Sequence, residues 1–338
     1  MNKTIWIFGR RFEVCGSDID DYYVGLRHGV ELDLVDSVLG GIRPFVKEDA
    51  VCLDVGANIG LYTLALAALA PKGSVWGFEP APATFGFLSK NIEINGLAHA
   101  HSVHAAVGDI TGTVEFQDIP FFTAGSFAVT GEPFLTTEVL GSLCIKTPSI
   151  TIDQFMADQG LERLDFVKVD VEGGELSVLD GAKQTLATHR PLVVLEFNSF
   201  GLSFHNAVLP QRALLRILET FPHVYVMDRT DGSPARLETP TEAYELLYEN
   251  GIHGPADNLL CSFDDLGVEE RYHRLVSHKS AATAGTRVEA LERTLSWRVT
   301  APLRRTRLRV DVNPRARAIT DRLRAAVLRT ADRRTEDH

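Results

Sequence analysis

Residues 51–60, Val-Cys-Leu-Asp-Val-Gly-Ala-Asn-Ile-Gly, constrain the fold of this chain more than any other stretch. A short apolar strand (Val51, Leu53, Val55) runs into a glycine-punctuated turn, and a helix of small and leucine residues starts at Leu61. This is the first strand-turn-helix of a doubly wound α/β sheet, in which ligands bind beyond the carboxyl ends of the strands. Gly56 and Gly60 allow backbone to approach a ligand that a Cβ would repel. Their four-residue spacing departs from the G-x-G-x-x-G of dinucleotide folds, which disfavours a nicotinamide oxidoreductase. A tight strand-helix corner with no ligand is the competing reading of this turn alone.

Two acidic landmarks weigh against that competitor. Ser74 to Phe78 reads as a second strand, ended by Glu79-Pro80, about 20 residues beyond the glycine turn, where this class holds a ribose diol. Asp165 to Glu175 supplies another apolar strand with acids at its exit. Charges are costly to bury without partners, so these acids are paired, solvent-lined or part of a site.

The strings LDVGANIG (53–60), GFEP (77–80), DFVKVDVEGGE (165–175) and VLDGA (178–182) resemble, in order and spacing, the FkbM-type S-adenosylmethionine-dependent methyltransferases. The resemblance covers roughly residues 35–265. It implies a Rossmann-like, doubly wound, mostly parallel seven-stranded sheet with helices on both faces. It also implies S-adenosylmethionine as cofactor and methyl transfer to a hydroxyl. By motif match, Asp54, Gly56, Asn58 and Gly60 would cradle the methionyl end and Glu79-Pro80 the ribose. Val107, Gly108 and Asp109 would lie against the adenine, although an Asp before Gly112 is equally a turn-former.

For the chemistry, Lys168, Asp170, Glu172 and Glu196 are the candidate catalytic residues. Strand alternation puts the first three on one face if the strand persists, with Glu196 at the tip of a neighbouring strand. Converging carboxylates can act as general base for a hydroxyl. A divalent metal on Asp170, Glu196 and Asn198 is a weaker reading, and mutual neutralisation of Lys168 and Glu172 is the structural one. No metal is assigned. His205 is a loop histidine that can touch acceptor but is more often surface. His99, His101 and His104 lack zinc spacing.

Elsewhere, residues 1–50 read as lead-in strands (Ile5 to Phe8, Phe12 to Cys15) and a helix around Val35 to Phe45. Further strands are expected at Ser102 to Val107, Pro191 to Phe197, His223 to Asp228 and Asn258 to Phe263. Helices are expected at Ala83 to Ile94, Leu176 to Ala187 and Leu209 to Thr220. Residues 118–149 look irregular, a lid or acceptor loop. The methyltransferase domain is set at 51–270.

Charge divides the chain. Residues 271–338 hold 17 Lys/Arg against 7 Asp/Glu, and with a net −11 overall the remainder carries −21. So acidic a core argues against nucleic-acid binding. Val288, Leu291, Leu295 and Val299, then Ile319, Leu323 and Val327, recur at helical spacing, giving a basic amphipathic helical extension over 286–334. Its Ser296–Arg304 string resembles tails of bacterial polysaccharide-assembly enzymes. An anionic inner-membrane surface or a polysaccharide-assembly protein are the partners this suggests; a solvated helical pair and an RNA-binding arm compete. Four scattered cysteines, a short amino-terminal apolar run and no ~20-residue apolar span point to the cytoplasm. The expected acceptor is a small-molecule or glycan hydroxyl, probed against two rivals: a macrolide-like secondary metabolite and a cofactor-binding scaffold without turnover.

Overall fold

The computed structural model describes residues 2–26, 28–32, 37–129, 143–229, 231–253 and 256–272. The expected tail helices at 286–334 lie outside the described residues. The strands are β1 Lys3–Ile7, β2 Arg10–Val14, β3 Val30–Glu31, β4 Val51–Val55, β5 Ser74–Phe78, β6 Ala100–Val103, β7 Ala106–Val107 and β8 Gly112–Asp118. They continue as β9 Phe127–Ala128, β10 Leu143–Ile150, β11 Phe166–Val169, β12 Leu192–Asn198, β13 His223–Met227, β14 Pro234–Arg236 and β15 Ala256–Ser262. The helices are α1 Asp21–Gly25, α2 Ser37–Ile42, α3 Leu61–Leu69, α4 Pro82–Ile94, α5 Ile152–Gln159, α6 Glu175–Asp180, α7 Lys183–His189, α8 Pro210–Thr220 and α9 Pro240–His253.

The main sheet has eight strands in the order β14-β13-β15-β12-β11-β4-β5-β6. From β12 to β6 the neighbours are parallel, while β15 runs against β12 and β13, and β14 against β13. The expected seven strands are therefore present, with β14 added at an edge where three residues give too little alternation to read. Buried on both faces, the central strands are near-continuous apolar runs. Alternation splits them: Cys52, Phe166 and Val194 pack into one core with α3 and α4, and Leu53, Val55, Val167, Val169 and Leu195 into the other with α5 to α9. Pro82 opens α4 at a position needing no N–H, and Gly96 at φ +63 follows its end.

Three expectations change. Residues 102–107 do not form one strand: β6 stays in the main sheet, while β7 turns away to pair with β10. Residues 118–149 are not irregular throughout, because Leu143–Ile150 pairs along its whole length with Gly112–Asp118, and β9 adds to β8. The expected helix at 176–187 breaks into α6 and α7 at Gly181, where a Cβ would fall 1.9 Å from the Gly108 carbonyl oxygen. Helix α9, absent from the expected helices, opens with a capping box: the Glu242 N–H donates to Thr239 Oγ1 (3.3 Å) and the Thr239 N–H to Glu242 Oε2 (2.8 Å), with Pro240 in the first turn. Among the described residues no helix is long and apolar enough to cross a membrane.

Candidate active site

At the carboxyl end of the sheet, chain order reverses between β4 and β11: β5 and β6 lie beyond β4 on one side, β12 beyond β11 on the other. Such a switch point opens a crevice for a ligand. The loops leaving β4, β5 and β11 meet here. Gly56 and Ala57 donate to the Phe78 carbonyl (3.1 and 2.8 Å), and Asp170 donates its N–H to the Val55 carbonyl (2.9 Å). A Cβ on Gly56 would sit 1.8 Å from the Asp170 carbonyl oxygen, and its φ of +84 disfavours any side chain. The glycine thus lets two loops of the rim touch.

On one side of this crevice the carboxylates are held by backbone. Glu79, 6% exposed, accepts the Asn58 N–H on Oε2 (3.0 Å) and the Ala81 N–H on Oε1 (2.8 Å). Asn58 takes the left-handed φ of +53. Burial nevertheless pushes Glu79 up to about 8, the two backbone bonds offsetting only part of the cost. Asp54 accepts Thr63 Oγ1 at 2.6 Å and is pushed up to about 6, again by burial first. Asn58 Nδ2 also meets Thr123 Oγ1 (3.0 Å), and Thr123 donates N–H and hydroxyl to the two Asp20 oxygens (3.0 and 2.9 Å). The lead-in segment is thereby tied to the glycine turn, a link between residues so distant in sequence that no local pattern announces it.

On the other side carboxylates crowd. Lys168, 1% exposed, places Nζ 3.0 Å from Asp170 Oδ2 and 4.9 Å from the Tyr62 ring centroid. Burial alone would lower this lysine, but Asp170, Glu196 and Asp54 together outweigh it and hold it above its ordinary value. Asp170, Glu172 and Glu196 each offer an oxygen within 4.8 Å of the others. Burial first, and then the Asp170 charge, raise both glutamates well above the usual carboxylate range. Glu196 Oε2 has no hydrogen-bond partner. Glu175, in the first turn of α6, turns Oε1 back to the N–H groups of Val171 and Gly173 (3.3 and 3.0 Å) and is pushed up to about 7 by burial.

Several sequence expectations are revised by these contacts. β11 ends at Val169, so Lys168, Asp170 and Glu172 do not share one strand face, and Lys168 pairs with Asp170 rather than Glu172. Glu172 instead accepts Asn198 Nδ2 at 3.1 Å, from a backbone φ of +55. Asn198 Oδ1 already accepts the Phe200 and Gly201 N–H groups (both 3.1 Å), so it is a poor third metal ligand beside Asp170 and Glu196. Asp109 is exposed and joined to Ser177 Oγ on α6 (2.8 Å), while Val107 pairs with Ile150 and Gly108 donates to its carbonyl (3.2 Å). Pro80 gives its carbonyl to Thr147 Oγ1 (2.9 Å). His205 is no surface residue: it is 4% exposed, and its Nδ1 lies 2.8 Å from the Glu172 carbonyl. Of the other histidines, His99 faces the Ala67 carbonyl, His101 stacks on Trp76 and His104 on Phe85, three separate settings.

A Rossmann-like sheet with a glycine turn, a buried glutamate after β5 and an acid rim at its switch point has the form of a ligand crevice. Residues 54–229 match the family model of the methyltransferase FkbM domain. The chain belongs to this family, whose donor is S-adenosylmethionine. The chain is 30% identical over 155 residues to methyltransferase sdnD of Sordaria araneosa, covering 39% of this chain and 60% of that protein. It is 31% identical over 148 residues to the hexuronic acid methyltransferase AglP of Haloferax volcanii (44% and 56% covered). It is 26% identical over 185 residues to the 2-O-methyltransferase NoeI of Sinorhizobium fredii (52% and 73%). The chain thus spans less than two thirds of the length of the first two relatives. The residues present suit the donor: buried carboxyls held above their usual range would regain their charge beside a cationic sulfonium, whereas an anionic phosphate would oppose it.

Proposed function

We propose that this chain is an S-adenosylmethionine-dependent O-methyltransferase that methylates a hydroxyl of a cell-surface glycan or its lipid-linked precursor. The observation that carries the reading is the meeting of the 56–60, 79–80 and 170–172 loops at one switch point, with hydrogen-bond-accepting carboxylates on both sides. The donor, when bound, supplies a methyl carbon on positively charged sulfur. Asp54, Gly56, Asn58 and Gly60 hold its methionyl end, Glu79 and Pro80 its ribose, and Val107, Gly108 and Asp109 its adenine.

Asp170, Glu172 and Glu196 accept hydrogen bonds from the incoming hydroxyls and orient one oxygen towards the methyl, while Lys168 holds Asp170 in place. Holding the reacting atoms about 3 Å apart is the main task, since no covalent enzyme intermediate is needed. The hydroxyl oxygen forms the new C–O bond, the C–S bond breaks, and the proton passes to a base of the protein. A relative named for hexuronic acid supports a sugar acceptor, and one named for 2-O methylation supports transfer to oxygen. We further place the acceptor at an anionic membrane surface reached by the basic tail, a contact that vesicle co-sedimentation with and without residues 286–338 tests.

The deciding experiment uses the full chain and methyl-tritiated S-adenosylmethionine with methyl glucuronoside, methyl hexosides, a lipid-linked oligosaccharide fraction and a hydroxylated macrolide. Label in a sugar methyl ether supports the reading. Label confined to the macrolide moves the acceptor to secondary metabolism, and donor binding without label in any acceptor leaves a scaffold.

A further inference from the structure

His205 stands at the acid rim, clamped on every side by elements that build the site. Its ring lies flat on Phe127 of β9, centroids 3.9 Å apart with 2° between planes, and the Phe200 ring stands perpendicular to it at 5.5 Å. Nδ1 lies 2.8 Å from the carbonyl oxygen of Glu172. A carbonyl can only accept, so Nδ1 carries the hydrogen. In the neutral ring that leaves Nε2 bare, with an in-plane lone pair and, among the described residues, no hydrogen-bond partner.

The mounting is rigid. Asn198 ties the Phe200 and Gly201 N–H groups to one oxygen and gives its Nδ2 to Glu172. Gly173 presses so closely on Gly201 that a Cβ would fall 2.4 Å from its backbone. The single π-helical turn Gly201–His205 thus swings the imidazole back over the Glu172 loop; such turns recur at functional sites. Its second ring nitrogen remains available while the first fixes the tautomer, the arrangement of a general base.

We infer that His205 takes the acceptor's proton through Nε2, an inference that rests on the methyl-transfer reading above. In this step the O–H bond breaks and its proton moves to Nε2, giving imidazolium. The oxygen pair forms the C–O bond as the C–S bond breaks, and the Glu172 carbonyl steadies the new charge through Nδ1–H. Burial lowers the affinity of this ring for a proton, which keeps it neutral and ready before the acceptor arrives.

The test uses full-length wild type, His205→Ala and His205→Gln with methyl-tritiated donor and methyl glucuronoside. Expected is a fall in kcat of about 10²–10⁴-fold in both variants, the usual worth of a positioned base. Donor affinity by calorimetry should stay within twofold. Added imidazole should restore part of the alanine variant's rate, and the acid limb of the wild-type kcat–pH profile should vanish. A residue with a packing role only would give no imidazole rescue. Retention of kcat within threefold, or a loss that imidazole does not relieve in a folded variant, overturns the assignment. If neither variant folds, nitrogen-15 NMR of the wild type decides, since an Nε2–H tautomer at neutral pH excludes the role. Donor binding by the wild type without transfer to any of the acceptors named above overturns the methyl-transfer reading itself, and the histidine's role with it.

Discussion

The two sides of the crevice hold their carboxylates by different means. On the side proposed for the donor, Glu79 has an N–H on each oxygen and Asp54 a threonine hydroxyl, all supplied by the segment 54–81. On the side proposed for the acceptor, three carboxylates crowd together: Asp170 takes Lys168, Glu172 takes Asn198, and Glu196 keeps an oxygen without a partner. The first side is therefore satisfied before any ligand arrives, whereas the second keeps a buried oxygen, Glu196 Oε2, that a hydroxyl donor would satisfy. A buried acceptor without a partner costs on the order of 1–3 kcal/mol, so substrate binding here recovers a cost already present in the free protein. Strain sits on the same border: Asn58 and Glu172, one from each side, both take positive φ.

The comparison breaks most sharply at Lys168. Replacing it with Met leaves Asp170, Glu172 and Glu196 without their cation, and removing one partner of a buried pair costs about 3–5 kcal/mol. Because Asp170 keeps 31% of its side chain exposed, the low end is expected, read as a shift of the urea midpoint. An unchanged midpoint would mean that the Lys168–Asp170 pair adds no net stability.

Glu79→Ala should weaken S-adenosylmethionine binding by about 1–3 kcal/mol, the cost of leaving buried ribose hydroxyls without their partner. Calorimetry checks it, and unaltered affinity would remove the ribose assignment.

The pH dependence of stability sharpens the contrast further. Glu79 is raised from 4.5 to about 8, so between these values the folded protein keeps a proton that the unfolded chain has released. Its contribution is complete below about pH 4.5 and is lost as pH climbs through 8. Asp54 and Glu175 act with the same sign over narrower windows. Thermal midpoints should fall from pH 5 to pH 8, and Glu79→Gln should flatten the fall.

Smallest is Thr123→Val, which cuts the Asp20–Thr123–Asn58 chain. About 0.5–1.5 kcal/mol of stability should go, with donor affinity following if this chain holds the glycine turn.

The strands and glycines of the donor side are legible in sequence because each is a local pattern: an apolar run, a turn residue, an acid before proline. The fate of residues 118–149 was not, since the pairing of Leu143–Ile150 with Gly112–Asp118 depends on a partner some 30 residues away. Helix 176–187 hid its break for a similar reason: Gly181 reads as ordinary until the Gly108 carbonyl is set against it.

By itself, the order of motifs determined the α/β class, the switch-point strands and the glycine turn between β4 and α3, since backbone preference and apolar periodicity act over a few residues. Only the tertiary structure decided that Lys168 serves Asp170, that Asn198 serves Glu172, and that His205 is buried on Phe127. Those outcomes depend on which distant side chains burial brings within hydrogen-bonding reach, and a low-dielectric interior makes each pairing or missing partner count.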